Sequence, residues 1–211
     1  MQLLTYYFEL PNALFQEVKS MTIYIILLIA IPSIWIALEI GLVIRDNARG
    51  KGTTASDKDT RYFNFIAITV GIVTAALLNG VQKFVFPGGK TPAVFFTGIA
   101  IMLLGMALRY WAVATLGAFF RTTIETDQDQ KVVSSGPYKL IRHPSYCGWL
   151  FVCLGYGIAV QNWLSVFVAV MLPLVALIYR IQIEEQVLAS SFGSVYVEYQ
   201  KKTKKLIPWI W

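Results

Sequence analysis

The single histidine of this chain, His143, stands between an arginine and a proline in "GPYKLIRHPSYCGW", residues 136–149. A second polar group, Arg180, Glu184 and Glu185 in "YRIQIEEQ", closes the last long apolar run. Arg180 and Glu184 are four residues apart, so on a helix they share a face about one turn from each other. A guanidinium fork matches a carboxylate, a glutamate can take an ammonium or hydroxyls, and an imidazole can donate to an anion. Together they would make a charged pocket at the membrane surface. The same spacing also describes a surface ion pair, worth about 0.3–0.5 kcal/mol. Position argues for a pocket, because a wholly apolar segment ends by turning these charges toward the basic turn at His143.

The elements that must hold these residues are membrane spans. Of the 211 residues 56% are hydrophobic and only 14% charged, against roughly 25% charged in a soluble domain. Apolar runs at 22–44, 62–86, 92–117 and 163–183 approach or exceed the ~20 residues that cross a bilayer. A shorter run, 146–160, is parted from the last by only Gln161 and Asn162, so the pair reads as a helical hairpin whose tip barely leaves the membrane. The fold expected is all-α, a polytopic membrane protein with about five transmembrane helices and a cytosolic pocket. Residues 1–114 form three spans and a cytosolic loop, and residues 115–211 the catalytic part. About twenty residues precede the first run and no small-residue cleavage site follows it, so it reads as a retained span rather than a signal peptide. Residues 2–18 suggest a short interfacial helix interrupted at Pro11.

Arginine and lysine set the orientation. Five lie in 45–61, four in 118–144 and five from Arg180 onward, against one before the first span and two at Lys83 and Lys90. The positive-inside rule then places the N-terminus outside and the C-terminus in the cytosol. The net charge of +6 is therefore topology and attraction to anionic membrane lipids rather than a nucleic-acid footprint. The charges of "RDNARGKGTTASDKDTR" read as solvation and orientation signals. Cys147 and Cys153 have no metal spacing and pack as small apolar groups. Glu39 and Arg109 lie within spans, where an ionisable group is by default functional, though snorkelling or mutual pairing accounts for them equally well.

The order "GPYKLIRHPSYCGW", apolar hairpin, "YRIQIEEQ", then "FGSVYVEYQKKTKKLIPWI" resembles the isoprenylcysteine carboxyl methyltransferase family, over about residues 115–211. The resemblance implies an integral membrane enzyme using S-adenosylmethionine without a Rossmann sheet, in the inner membrane of a prokaryote or the endoplasmic reticulum of a eukaryote. Carried over by position, it implies cofactor contacts from Gln130, Lys131, Val132, Val133, Tyr138, His143, Pro144, Ser145, Tyr146 and Glu184, and from Glu125, where the loop looks shorter than in eukaryotic members. It gives Arg180 to the substrate. The valines and tyrosines suit an adenine, Glu184 an ammonium or ribose, and His143 a carboxylate.

The acceptor implied is a lipidic carboxylate, a prenylated cysteine, reached from the bilayer. An α-carboxylate with a reference pKa of about 3.3–3.7 is ionised at neutral pH and needs no general base, so positioning and desolvation carry catalysis. An amine acceptor, as in a phospholipid N-methyltransferase, would gain nothing from an adjacent cation; a nonenzymatic membrane protein is the remaining alternative. Glu185 is open between solvation, a bond back to the turn and a binding role. The tail "YVEYQKKTKKLIPWIW" serves as a lid, a membrane anchor, or both.

Overall fold

In lipid every backbone N–H and C=O must be satisfied within the segment, which makes apolar runs of this length helices. The computed structural model describes residues 12–49, 57, 60–124, 126 and 131–207. Among the described residues the α-helices are α1 (Asn12–Ala48), α2 (Thr60–Leu77), α3 (Pro92–Leu116), α4 (Pro144–Val160), α5 (Trp163–Phe192) and α6 (Ser194–Lys202). Helices α1, α2, α3 and α5 are long and apolar enough to cross a membrane, and α4 is a shorter apolar helix. Among the described residues the extended pairings are two isolated bridges, Val85 with Asn162 and Ile141 with Lys204. The chain falls into two units, residues 1–41 and 42–211.

Three boundaries differ from the expected spans. Helix α1 takes in residues 12–18, so no separate interfacial helix begins there, and Pro11 lies outside the described residues. Helix α2 stops at Leu77, and short 3-10 turns at Leu78–Gly80 and Gln82–Phe84 replace the rest of the 62–86 run. Those turns exist to meet the hairpin tip: Asn162 donates to the carbonyls of Leu78 and Val81 at 3.3 and 3.0 Å, and Phe86 N–H donates to Gln161 O. Helix α5 continues beyond Ile183 to Phe192, which puts Arg180, Glu184 and Glu185 inside the helix rather than at its exit.

The tip between α4 and α5 is built from two residues. Gln161 takes the left-handed conformation (φ 60°), and Asn162 caps α5 by accepting from Leu164 N and Ser165 N. The Gln161 side chain also accepts from Thr91 N at 2.7 Å. Both residues are buried, so the tip is roofed by the 78–91 segment instead of standing at the surface.

Helix α4 is pressed against α3 through glycines. A methyl on Gly98 would come within 2.6 Å of Gly155 O, and one on Gly105 within 2.7 Å of Gly148 O, with the reciprocal contacts equally close. Each helix thus carries two glycines seven residues apart, on facing stripes. Where lipid is as apolar as the side chains, close backbone approach through small residues is what holds helices together. The result sets the start of α4 beside Arg109 of α3, since a methyl on Gly148 would lie 2.8 Å from Arg109 N.

Gly155→Ala should therefore force α3 and α4 apart and cost about 1–3 kcal/mol, as overpacked sites do. Gly41→Ala, with nothing within 4 Å of the added methyl, should be neutral or stabilising by roughly 0.5–1 kcal/mol. Thermal unfolding in detergent, followed by circular dichroism, compares the two; equal midpoints would mean that the glycine contact does not hold the pair.

Candidate active site

Pro144 starts α4, where a missing N–H costs nothing, and His143 precedes it. The backbone just before runs parallel to the C-terminal segment: Arg142 N–H donates to Lys204 O at 2.8 Å and His143 N–H to Lys205 O at 3.0 Å. Hairpin and tail are joined there. His143 is buried, stacked on Tyr146, with its ring between two carboxylates: Nε2 lies 3.1 Å from Glu185 Oε1 and Nδ1 lies 3.7 Å from Glu184 Oε2. The neighbourhood of His143 and Glu184 read from the short hairpin is present. The imidazole is engaged by protein carboxylates and does not stand free for an anion.

Glu185 is the hub of the clamp. Arg142 Nε donates to it at 2.6 Å, Gln200 Nε2 at 3.3 Å, and Lys205 Nζ lies 3.9 Å away. The Arg142 guanidinium also donates to the carbonyls of Gln200 and Thr203. Of the roles open for Glu185, a bond back to the turn is the one formed, and it extends to α6. Tyr199 on α6 donates to Tyr138 O at 2.6 Å, closing the same seam from the other side.

Glu184, one residue earlier, points elsewhere. The Tyr146 hydroxyl donates to its Oε2 at 2.6 Å, while Oε1 has no partner among the described residues. The side chain is 26% exposed, against 11% for Glu185, so this carboxylate is the one that can meet a ligand. Two further phenols feel its charge. Burial first, then Glu184, pushes Tyr138 well above the usual phenol range; burial first, then Glu185 and Glu184, does the same for Tyr196. Both phenols are therefore neutral at physiological pH.

Arg180 is buried and nearly saturated. Its Nε donates to Tyr146 Oη at 2.8 Å, Nη1 to Asp57 Oδ1 at 2.9 Å and Thr60 Oγ1 at 2.6 Å, and Nη2 to Thr122 O at 2.7 Å. It makes no direct pair with Glu184: the Tyr146 hydroxyl accepts from one and donates to the other. With Nη1 taken by Asp57 and Thr60 and Nε by Tyr146, neither two-point edge expected to grip a substrate carboxylate is open.

Asp57 and Asp46 belong to the segment read as solvated, yet both have zero exposure. Asp57 Oδ1 also accepts from Ile124 N at 3.2 Å, and Asp46 Oδ2 accepts from Thr122 N at 2.6 Å, so two acids pin residues 122–124. The sequence carried one signal: an aspartate shortly before a helix can accept from its unpaired first N–H groups, as Asp57 does from Arg61 N at 3.3 Å.

Arg109 does not snorkel. It is 2% exposed, donates to the Ser145 hydroxyl, and lies 4.5 Å from the Trp149 ring and 5.3 Å from that of Phe120. Glu39 is likewise buried. Of the remaining residues carried over from the resemblance, Pro144 is buried, Val132 and Val133 are half-buried, and Lys131 is exposed. Glu125 and Gln130 lie outside the described residues.

The sequence profile of the isoprenylcysteine carboxyl methyltransferase family matches residues 98–190. The chain is 31% identical to a protein-S-isoprenylcysteine O-methyltransferase of Tribolium castaneum over 67% of this chain and 52% of that one. It is 30% identical to protein-S-isoprenylcysteine O-methyltransferase A of Arabidopsis thaliana, over 61% of this chain and 67% of the relative. A solved structure of the eukaryotic intramembrane Ras methyltransferase superposes with a TM-score of 0.61 at 30% identity, covering 67% of this chain and 52% of that one. This chain thus spans about half the length of several curated relatives it matches. With the apolar helices and the hairpin built around "RHPSY", these similarities show that the chain is a polytopic membrane protein and belongs to the isoprenylcysteine carboxyl methyltransferase family.

Proposed function

We propose that this chain transfers a methyl group from S-adenosylmethionine to the carboxylate of a lipidic acceptor, a prenylated cysteine α-carboxylate. The observation that carries the proposal is the shared hydroxyl of Tyr146, which joins Glu184 at 2.6 Å and Arg180 at 2.8 Å. One side of it seeks a cation and the other an anion, as an enzyme joining a cationic methyl donor to an anionic acceptor requires.

The residues suit the cofactor. Glu184 has an oxygen without a partner among the described residues for an ammonium or ribose hydroxyls, the Tyr146 phenol donates to its other oxygen, the Tyr138 phenol feels its charge, and Val132 and Val133 offer half-buried apolar surface to an adenine. When bound, S-adenosylmethionine supplies the methyl group as an electrophile. The acceptor, ionised at neutral pH, needs no proton removed, so Arg180 has only to orient and attract it. Burial of Arg180 strengthens that attraction, since charges interact more strongly away from water. An acceptor amine would meet a cation there.

The decisive assay incubates the purified protein with labelled S-adenosylmethionine and either a farnesylcysteine analogue or a lipid extract. A base-labile methyl ester on the analogue is expected. Label in an ethanolamine phospholipid instead, or no cofactor binding, would overturn the reading.

Three further outcomes are expected. Glu184→Ala should weaken cofactor binding by calorimetry at least ~tenfold, about 1.4 kcal/mol, whereas Arg180→Lys should leave it within about threefold and still cost ~tenfold or more in turnover. Full turnover by Arg180→Lys would remove the arginine from the acceptor site. Shortening the farnesyl group by one isoprene unit should raise the acceptor KM at least ~tenfold at ~0.8 kcal/mol per buried CH₂ and leave the cofactor KM alone. Finally, the basic clusters predict that single cysteines placed in 45–61 label from the cytosolic side and those at 88–89 from the opposite side; labelling from one common side would reject the topology.

A further inference from the structure

We infer that Asp57 is a positioning residue for the acceptor site, holding the Arg180 guanidinium so that a single N–H is left for the substrate carboxylate. The inference rests on the carboxyl-methylation reading above. A guanidinium has five N–H donors. In Arg180, Nε is spent on Tyr146, both hydrogens of Nη1 on Asp57 and Thr60, and one hydrogen of Nη2 on the Thr122 carbonyl. One Nη2 hydrogen remains without an acceptor among the described residues. Arg180 therefore offers an acceptor one hydrogen bond from a fixed direction.

Asp57 fixes that direction because it is itself fixed. It has zero exposure, and its carboxylate accepts from four groups: Arg180 Nη1, Thr60 Oγ1 at 3.2 Å, Ile124 N at 3.2 Å and Arg61 N at 3.3 Å. These come from α5, the start of α2 and the 122–124 segment, so no single helix motion can carry the aspartate away. The Thr60 hydroxyl donates to Asp57 and accepts from Arg180, which leaves it no other orientation. Without the aspartate, Nη1 loses its only anionic partner and the guanidinium can rotate about the bond to Tyr146.

The control is Asp46. It too is fully buried and holds the same segment through Thr122 N, but no bond joins it to Arg180. If Asp57 served only to anchor residues 122–124, Asp46→Ala and Asp57→Ala would have the same profile. The variants Asp57→Ala, Asp57→Asn and Asp46→Ala are compared in the full-length protein for acceptor kinetics with the farnesylcysteine analogue, cofactor affinity by calorimetry, and phenylglyoxal modification of Arg180 by mass spectrometry. Asp57→Ala should lower acceptor kcat/KM by about a hundredfold, and Asp57→Asn, which keeps the accepting oxygen, by about tenfold, with cofactor Kd within about threefold in both. Arg180 should become several-fold more reactive in Asp57→Ala and stay protected in Asp46→Ala. Wild-type kinetics in Asp57→Ala, losses that track cofactor affinity, or equal effects of the two alanine variants would overturn the inference. If Asp57→Ala does not fold, Asp57→Asn carries the kinetic comparison. Should the wild-type protein leave the analogue unmethylated, the functional reading fails, and the protection of Arg180 still decides whether Asp57 holds it.

Discussion

A guanidinium buried in the wall of an apolar helix must find an acceptor for nearly every N–H, since water cannot serve it and an unmet donor is costly. Around Arg180 those acceptors come from everywhere except its own helix: Asp57 and Thr60 from the start of α2, Thr122 from the segment after α3, Tyr146 from α4. Satisfying one arginine thereby ties three helices and a connecting segment at a common point. The glycine seam between α3 and α4 makes this possible, because it brings the start of α4, with Tyr146, up against α3. Packing with small residues and charge satisfaction are two parts of one constraint.

Adjacent glutamates on a helix diverge by about 100°, so Glu184 and Glu185 send most of their contacts to different sides. Glu185 turns toward Arg142, Gln200 and Lys205 and fastens the tail to the hairpin. Glu184 turns toward Tyr146 and keeps one oxygen open. His143 lies between them, hydrogen-bonded through Nε2 to the fastened carboxylate at 3.1 Å, with Nδ1 3.7 Å from the open one. The tail through Lys205 is thus secured by Arg142, in the turn before α4, and by Glu185 on α5.

Much of this was legible in the residues. Apolar runs gave the helices, and the short "QN" break gave a hairpin that brings His143 and Glu184 together. Local spacing misled where long-range contacts took over. Arg180 and Glu184 have the separation of an ion pair, yet Asp57 arrives from 123 positions earlier and takes the guanidinium. Asp46 and Asp57 sit among glycines, threonines and lysines, a composition that reads as solvated, and only the fold shows that they are buried. The end of α2 was misplaced for a related reason: the run stays apolar through Phe86, but Asn162 draws off the carbonyls of Leu78 and Val81. The facing glycines on α3 and α4 carry no meaning until the helices are paired.

The distribution of these groups bears on what the N-terminal half contributes. The family match covers residues 98–190 and so includes Arg180, Tyr146 and Glu184, but Asp57 and Thr60 lie before it. The arginine proposed to meet the acceptor is thus held, at its anionic edge, by residues outside the matched region. The residues proposed for the cofactor side at 138–146 and 184, by contrast, lie within it. On this reading Arg180 receives its anionic partner only where the residues before and at the start of α2 meet α5. Among the described residues Tyr146 joins the two sides: its hydroxyl accepts from Arg180 and donates to Glu184, so neither side chain can shift without disturbing the partner of the other.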